Sequence, residues 1–195
     1  MQLEEPLAAR LVAAALELLR REPAERLSLR NVAQQLDVSH QAPYVHFGSK
    51  RGFLAAVAGA GLHRAANRAR EAAAAGGDDP LLRLHAIADA YIDFVHDQPH
   101  VHDLAYGPLV AKSDHPTLQA AAINYWDLLH DTVAACQPKG VDEGEVLRRC
   151  AAAWATVYGI ARLATMGQIP RSVPAREREL VHEAVDTLFQ GWHRT

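Results

Sequence analysis

Between residues 28 and 51 the chain gathers Ser28, Arg30, Ser39, His40, Gln41, Ala42, Tyr44, His46, Lys50 and Arg51, with Asp37 as the lone carboxylate among them. These types are suited to holding a polyanion rather than to breaking a bond. Cations, hydroxyls and imidazoles reach phosphate oxygens, the Gln41 amide matches the donor–acceptor edge of adenine, and the Ala42 methyl can touch a thymine methyl. Lys50 and Arg51 follow Gly48 and Ser49 and fall in the first turn of the next helix, where the helix dipole disfavours a cation. A phosphate on the free N–H groups of that turn would reverse the penalty, and Lys50 would clamp it.

Other sets of reactive side chains have the wrong spacing. His96, His100 and His102 cluster with Asp97 and Asp103. However, His100 and His102 point apart on a helix, and Pro99 separates His96 from both, so a metal site is not expected and surface histidines at helix ends are. Ser113, Asp114 and His115 carry the letters of a hydrolytic triad, but contiguous residues cannot form that relay, and a helix cap before Pro116 is the better account. Cys136 and Cys150 sit on apolar faces and read as buried packing. No catalytic residue, metal or cofactor is expected, and the chain is not read as an enzyme.

The elements that must position the first set are helical. Ala and Leu supply 37 and 23 of 195 residues, against 26 for Val, Ile and Thr together, which favours an all-α protein. Helical periodicity begins at Leu7 and stops at Pro23. Ser28 offers an N-cap to a short helix over residues 29–36, Asp37 and Val38 interrupt, and Ser39 offers a cap to a second short helix over 40–47, closed by Gly48. Ser49 then caps a long helix to about residue 75. Two short helices around a tight turn make a helix-turn-helix, in which the first props the second against a DNA major groove. Val38 and Phe47 are expected to anchor the second helix.

Charge is distributed accordingly. Residues 1–70 carry ten basic and six acidic side chains, net +4; the remainder carries ten and seventeen, net −7. A basic head on an acidic body points to a polyanion at the head. Further helices are expected over 80–96, from about 99 to 106, over 116–136 and 143–166, and from near Pro174. The charge-free run between Arg149 and Arg162 is shorter than the roughly 20 residues a bilayer requires. The acidic start, Met1 to Pro6, lacks a signal-peptide layout. A cytoplasmic protein without a membrane partner is therefore expected.

The stretch with Val32-Ala33, Val38-Ser39, Tyr44, His46-Phe47, Ser49-Lys50 and Phe53-Leu54 resembles the N-terminal DNA-binding domain of the TetR family of bacterial repressors. Asp37 departs from the glycine that the family commonly has in the turn; aspartate tolerates a left-handed backbone better than most residues. The resemblance implies an N-terminal three-helix bundle with the helix-turn-helix (residues 1–70) and a larger helical effector-binding and dimerisation domain (residues 75–195). It implies phosphate contacts from Tyr44 and Lys50, a cap near the backbone at Ser28, and Ser39, His40, Gln41 and Ala42 nearest the bases. Trp154, Tyr158 and Gly159 are similar to a Trp-x-x-x-His-Gly signature of one C-terminal subdivision, with tyrosine in place of histidine. Gly159 there would allow close helix approach.

In the second part, Tyr91, Phe94, His102, Tyr106, Tyr125, Trp126, Trp154 and Tyr158, with Met166, are candidates to line an apolar cavity with a few polar groups. Arg149, Trp154, Tyr158 and Arg162 could face Leu180, Ala184, Leu188 and Trp192 in a four-helix dimer interface. The expectation is a homodimeric, ligand-responsive transcriptional regulator, a repressor, that binds a palindromic double-stranded operator and is released by a small, largely apolar effector. The alternative is a helical small-molecule carrier or enzyme with a basic N-terminal face.

Overall fold

A computed structural model describes residues 5–194; the residues of the acidic start before Glu5 lie outside the described part. Nine α-helices and one 3-10 turn make up the regular structure of the described residues: α1 Leu7–Leu18, α2 Leu29–Gln35, α3 Ala42–Phe47, α4 Lys50–Ala75, α5 Pro80–Asp97, α6 Pro99–Tyr106, α7 Pro116–Ala135, α8 Glu143–Thr165 and α9 Glu177–Trp192, with the 3-10 turn at Lys112–Asp114. The all-α expectation is met. None of these helices is long and apolar enough to cross a membrane.

Local chemistry explains most helix starts. Ser28 Oγ accepts the Asn31 amide at 3.4 Å, and Ser49 Oγ accepts the Gly52 amide at 3.0 Å. The Asp142 carboxylate does the same for Glu145 at 3.1 Å. Each satisfies a donor that the first helical turn leaves open. Prolines open α5, α6 and α7, where their missing N–H costs nothing. α9 begins at Glu177, a little after Pro174, because the Glu179 carboxylate reaches back to the Arg176 amide at 2.7 Å in a capping box.

The chain forms two packed units. The first holds the residues up to Arg64 together with Asp97–Asn124. Its core includes Leu11, Leu19, Leu27, Val32, Phe53, Val57, Leu62, Val101, Leu104 and Leu118, all essentially inaccessible. Val101 of α6 seats its side chain on the α4 backbone here: a Cβ on Gly61 would lie 2.2 Å from Val101 Cγ1. The second unit holds Ala65–His96 and residues from Tyr125 onward, with α8 packed along α9. Its core is built from Ala66, Ala69, Ile87, Val95, Val133, Cys150, Ala161, Val181 and Val185. Polar pairs seam α5 to α9 inside it: the His85 and His182 rings stack at 4.4 Å, His182 meets Asp89 at 3.0 Å, and His96 meets Glu177 at 2.5 Å.

Candidate nucleic-acid interface

α1, α2 and α3 pack on one another in the first unit. α2 buries Leu29, Val32 and Ala33, the i, i+3, i+4 set expected of its inner face. The connecting turn needs a left-handed residue, and Asp37 supplies it at φ 52°. The second helix starts at Ala42, two residues later than the spacing suggested. Gln41 occupies the cap position without a side-chain bond, and Ser39 Oγ accepts the Gln41 amide at 3.3 Å instead of capping the helix.

Pro43 is the buried residue of α3, with Val38 and Phe47 half-buried beside it. Anchoring thus falls chiefly to the proline, whose missing donor is harmless in a first turn. The Phe47 ring meets Phe53 edge-on at 5.0 Å and ties α3 to the start of α4. Between them Gly48 turns the chain at φ 72° with nothing within 4 Å of a would-be Cβ, so backbone conformation alone selects glycine here.

Ser39, His40, Gln41, Tyr44 and His46 are exposed, as are Arg30, Lys50 and Arg51; Ser28 and Ala42 are half-buried. Gln41 Nε2 and His40 Nε2 lie 3.2 Å apart. Lys50 Nζ donates to the Glu25 carbonyl at 3.4 Å, and the first turn of α4 carries no acidic residue. Outward side chains of α3 and the cationic start of α4 thus flank the Gly48 turn. Val45 was not among the expected contacts, yet it is 79% exposed. The signal was present: Val45 is four residues after Gln41 and shares its helix face.

The effector candidates fall into separate ring pairs. His102 and Tyr106 belong to the first unit, at 4.8 Å between centroids. In the second unit Tyr91 meets Tyr125 edge-on at 6.4 Å, with Phe94 also buried. Trp154 meets Trp126 at 6.4 Å and Tyr158 at 5.8 Å. His102 is 1% exposed and so is not a surface histidine, whereas Met166 is 60% exposed at the end of α8. Trp192 is buried in its own chain. Gly159 has no neighbour within 4 Å of a would-be Cβ, so the expected close helix approach is not made within the chain. Cys136 and Cys150 are free and buried, as expected.

A helical fold whose head is a helix-turn-helix with an outward recognition helix defines a DNA-binding transcription regulator. The model for bacterial regulatory proteins of the tetR family matches residues 11–57, and the tetracyclin repressor-like C-terminal domain matches residues 84–188, more than half of the chain. The chain belongs to the TetR family. A solved protein of unknown function from Rhodococcus sp. RHA1 is similar at 28% identity and a TM-score of 0.78, over 98% of this chain and 97% of that one. The TetR family transcriptional regulator PfmR from Thermus thermophilus shares the fold at 20% identity and a TM-score of 0.58, over 93% and 97% of the two chains. A TetR variant from Acinetobacter baumannii AYE, in complex with minocycline, does so at 20% identity and 0.65, over 97% and 98%. No match was found among curated proteins.

Proposed function

We propose that the protein is a homodimeric transcriptional repressor whose residues 1–70 read a palindromic operator and whose residues 75–195 bind a small effector and hold the dimer. The observation that carries this reading is the shared exposure of Gln41, Tyr44, Val45 and His46 beside Lys50 and Arg51. Side chains of the first group suit base edges and sugar-phosphate, and the two cations suit phosphate. Ser28, Arg30, Ser39, His40 and Ala42 complete the proposed contact set.

One recognition helix of two turns touches few base pairs, so two heads related by a two-fold axis, with half-sites about one helical turn apart, supply the specificity. Support for the second copy comes from α8. Leu147, Ala151, Trp154 and Tyr158 recur at i, i+4, i+7 and i+11, with Leu147 41% and Trp154 37% exposed. The open space at Gly159 and Gly191 leaves room for another chain to approach these helices. The His102–Tyr106 pair of the first unit and, separately, the Tyr91–Tyr125 and Trp126–Trp154–Tyr158 sets of the second are the proposed effector contacts, and one similar structure is a TetR variant in complex with minocycline.

Release would be a population shift: an effector that binds better to a conformation unfit for the operator lowers DNA affinity by that difference. The contact of α6 with α4 at Gly61 supports a route, since α4 begins at Lys50. Fluorescence anisotropy against DNA upstream of the protein's own gene, with a salt series, tests the reading. Saturable, sequence-selective binding by a dimer is expected; the absence of any DNA binding would return the chain to the class of helical carriers or enzymes.

A further inference from the structure

His102 and Thr132 are the polar side chains buried to about 1% among the described residues. Thr132 is accounted for locally, because its hydroxyl donates to the Leu128 carbonyl at 2.9 Å. His102 belongs to a different arrangement. Its ring lies 4.8 Å from that of Tyr106, one turn further along α6, and the Tyr106 ring carries the Lys112 ammonium at 4.6 Å from its centroid. Lys112 lies on the 3-10 turn between α6 and α7, so a buried imidazole, a phenol and an ammonium form a file inside the first unit.

Lys112 is the unusual member. It is half-buried, and burial holds its pKa below the ordinary lysine value. No carboxylate among the described residues pairs with it; its partner is the face of an aromatic ring. A desolvated ammonium on a ring face keeps part of its attraction for an anion unspent. Val101, Leu104 and Ala105 on α6 and Val110 after it are buried and apolar, and a lone ammonium matches one carboxylate better than a dianionic phosphate.

We infer that His102, Tyr106 and Lys112 form the acid-binding end of the effector site, and that the effector is a monocarboxylic acid with an apolar body. Lys112 supplies the countercharge, the Tyr106 ring holds the ammonium at 4.6 Å, and His102, with the Asp103 carboxylate 3.7 Å from its Nδ1, backs the Tyr106 ring from the core. This rests on the reading of the chain as ligand-responsive.

The test uses the full chain with decanoate and phenylacetate, each against its uncharged amide, read by thermal shift and calorimetry. Both acids, or one of them, are expected to raise Tm while the amides do not. Lys112→Arg keeps the response and Lys112→Met loses it by at least tenfold in Kd. Ligand-free Lys112→Met should melt at or above the parent temperature, because it removes a desolvated cation; a contact kept only for structure would lower Tm instead. Equal binding of acid and amide, no binding of either acid, or an unchanged response in Lys112→Met overturns the inference. DNA binding measured without acid separates the two readings: a chain that binds DNA and ignores acids keeps the regulator and loses the acid site, and one that binds acids through Lys112 but never DNA does the reverse.

Discussion

The Lys50 ammonium donates to the backbone carbonyl of Glu25 at 3.4 Å, linking the first turn of α4 to the segment between α1 and α2. The bond is long, exposed and made to a neutral acceptor, so it holds the side chain at the surface at little energetic gain. A phosphate oxygen would make a shorter, charge-assisted bond in its place. Lys50→Ala is therefore expected to change folding stability by less than about 0.5 kcal/mol. It should weaken binding to all DNA sequences and flatten the salt dependence by about one unit of slope. Anisotropy titrations at several salt concentrations check both.

Gln41 and Val45, exposed on one face of α3, should behave differently. Gln41→Ala and Val45→Ala are each expected to relax preference at one or two base pairs by about 1–3 kcal/mol while leaving the salt slope unchanged. Competition against single-base operator variants measures this. Uniform loss across all variants would place the two side chains on the phosphate rather than the bases.

Trp154 is packed against Trp126 and Tyr158 yet remains 37% exposed. On the proposed dimer face of α8, Trp154→Glu is expected to give a folded monomer, because a charge placed in an apolar contact is poorly compensated. Sedimentation at micromolar concentration and far-UV circular dichroism together distinguish lost assembly from lost fold.

The two thiols are free and buried. Burial, with the Asp79 charge adding and Arg83 opposing, raises Cys136 to about 11, and burial raises Cys150 to about 12. Neither should react with a disulfide reagent at pH 8 until the chain unfolds. Above pH 9.0, the ordinary thiol value, the unfolded chain loses these protons while the folded one keeps them. Their contribution to stability therefore falls as pH rises towards 11–12. Cys150→Val should flatten the fall in urea midpoint over that interval.

Gly61→Ala is expected to cost about 1–3 kcal/mol by overpacking, since the added methyl meets Val101 Cγ1 at 2.2 Å and Val101 is fully buried. Thermal melts read the loss.

Legibility in the sequence followed the range of the interactions. The caps at Ser28 and Ser49 and the left-handed turn at Asp37 depend on neighbours within a few residues, and all three were readable. The exposed set on α3 was readable except for Val45, because an aliphatic residue is assigned inward unless its helix face is checked against Gln41. His102 had two readings, a surface histidine at a helix end and a side chain lining an apolar cavity, and its burial rules out the first. Its burial follows from α6 seating its Val101 against Gly61 of α4, a contact between residues far apart in sequence. Likewise, Tyr125 and Trp126 are adjacent but join different ring pairs, so a list of aromatics could not be divided into sites without the fold.

At Gly61 a methyl of Val101 rests directly on the α4 backbone, so a sideways shift of α6 meets α4 with no intervening α4 side chain. Lys50 stands eleven residues up the same rod, roughly 16 Å away at about 1.5 Å per residue. A tilt of about 5° pivoting at the crossing sweeps Lys50 through roughly 1.4 Å, half the length of a hydrogen bond. A shift of that size at Lys50 is comparable with the reach of a phosphate hydrogen bond, so α4 links the Gly61 crossing geometrically to the Lys50 side chain.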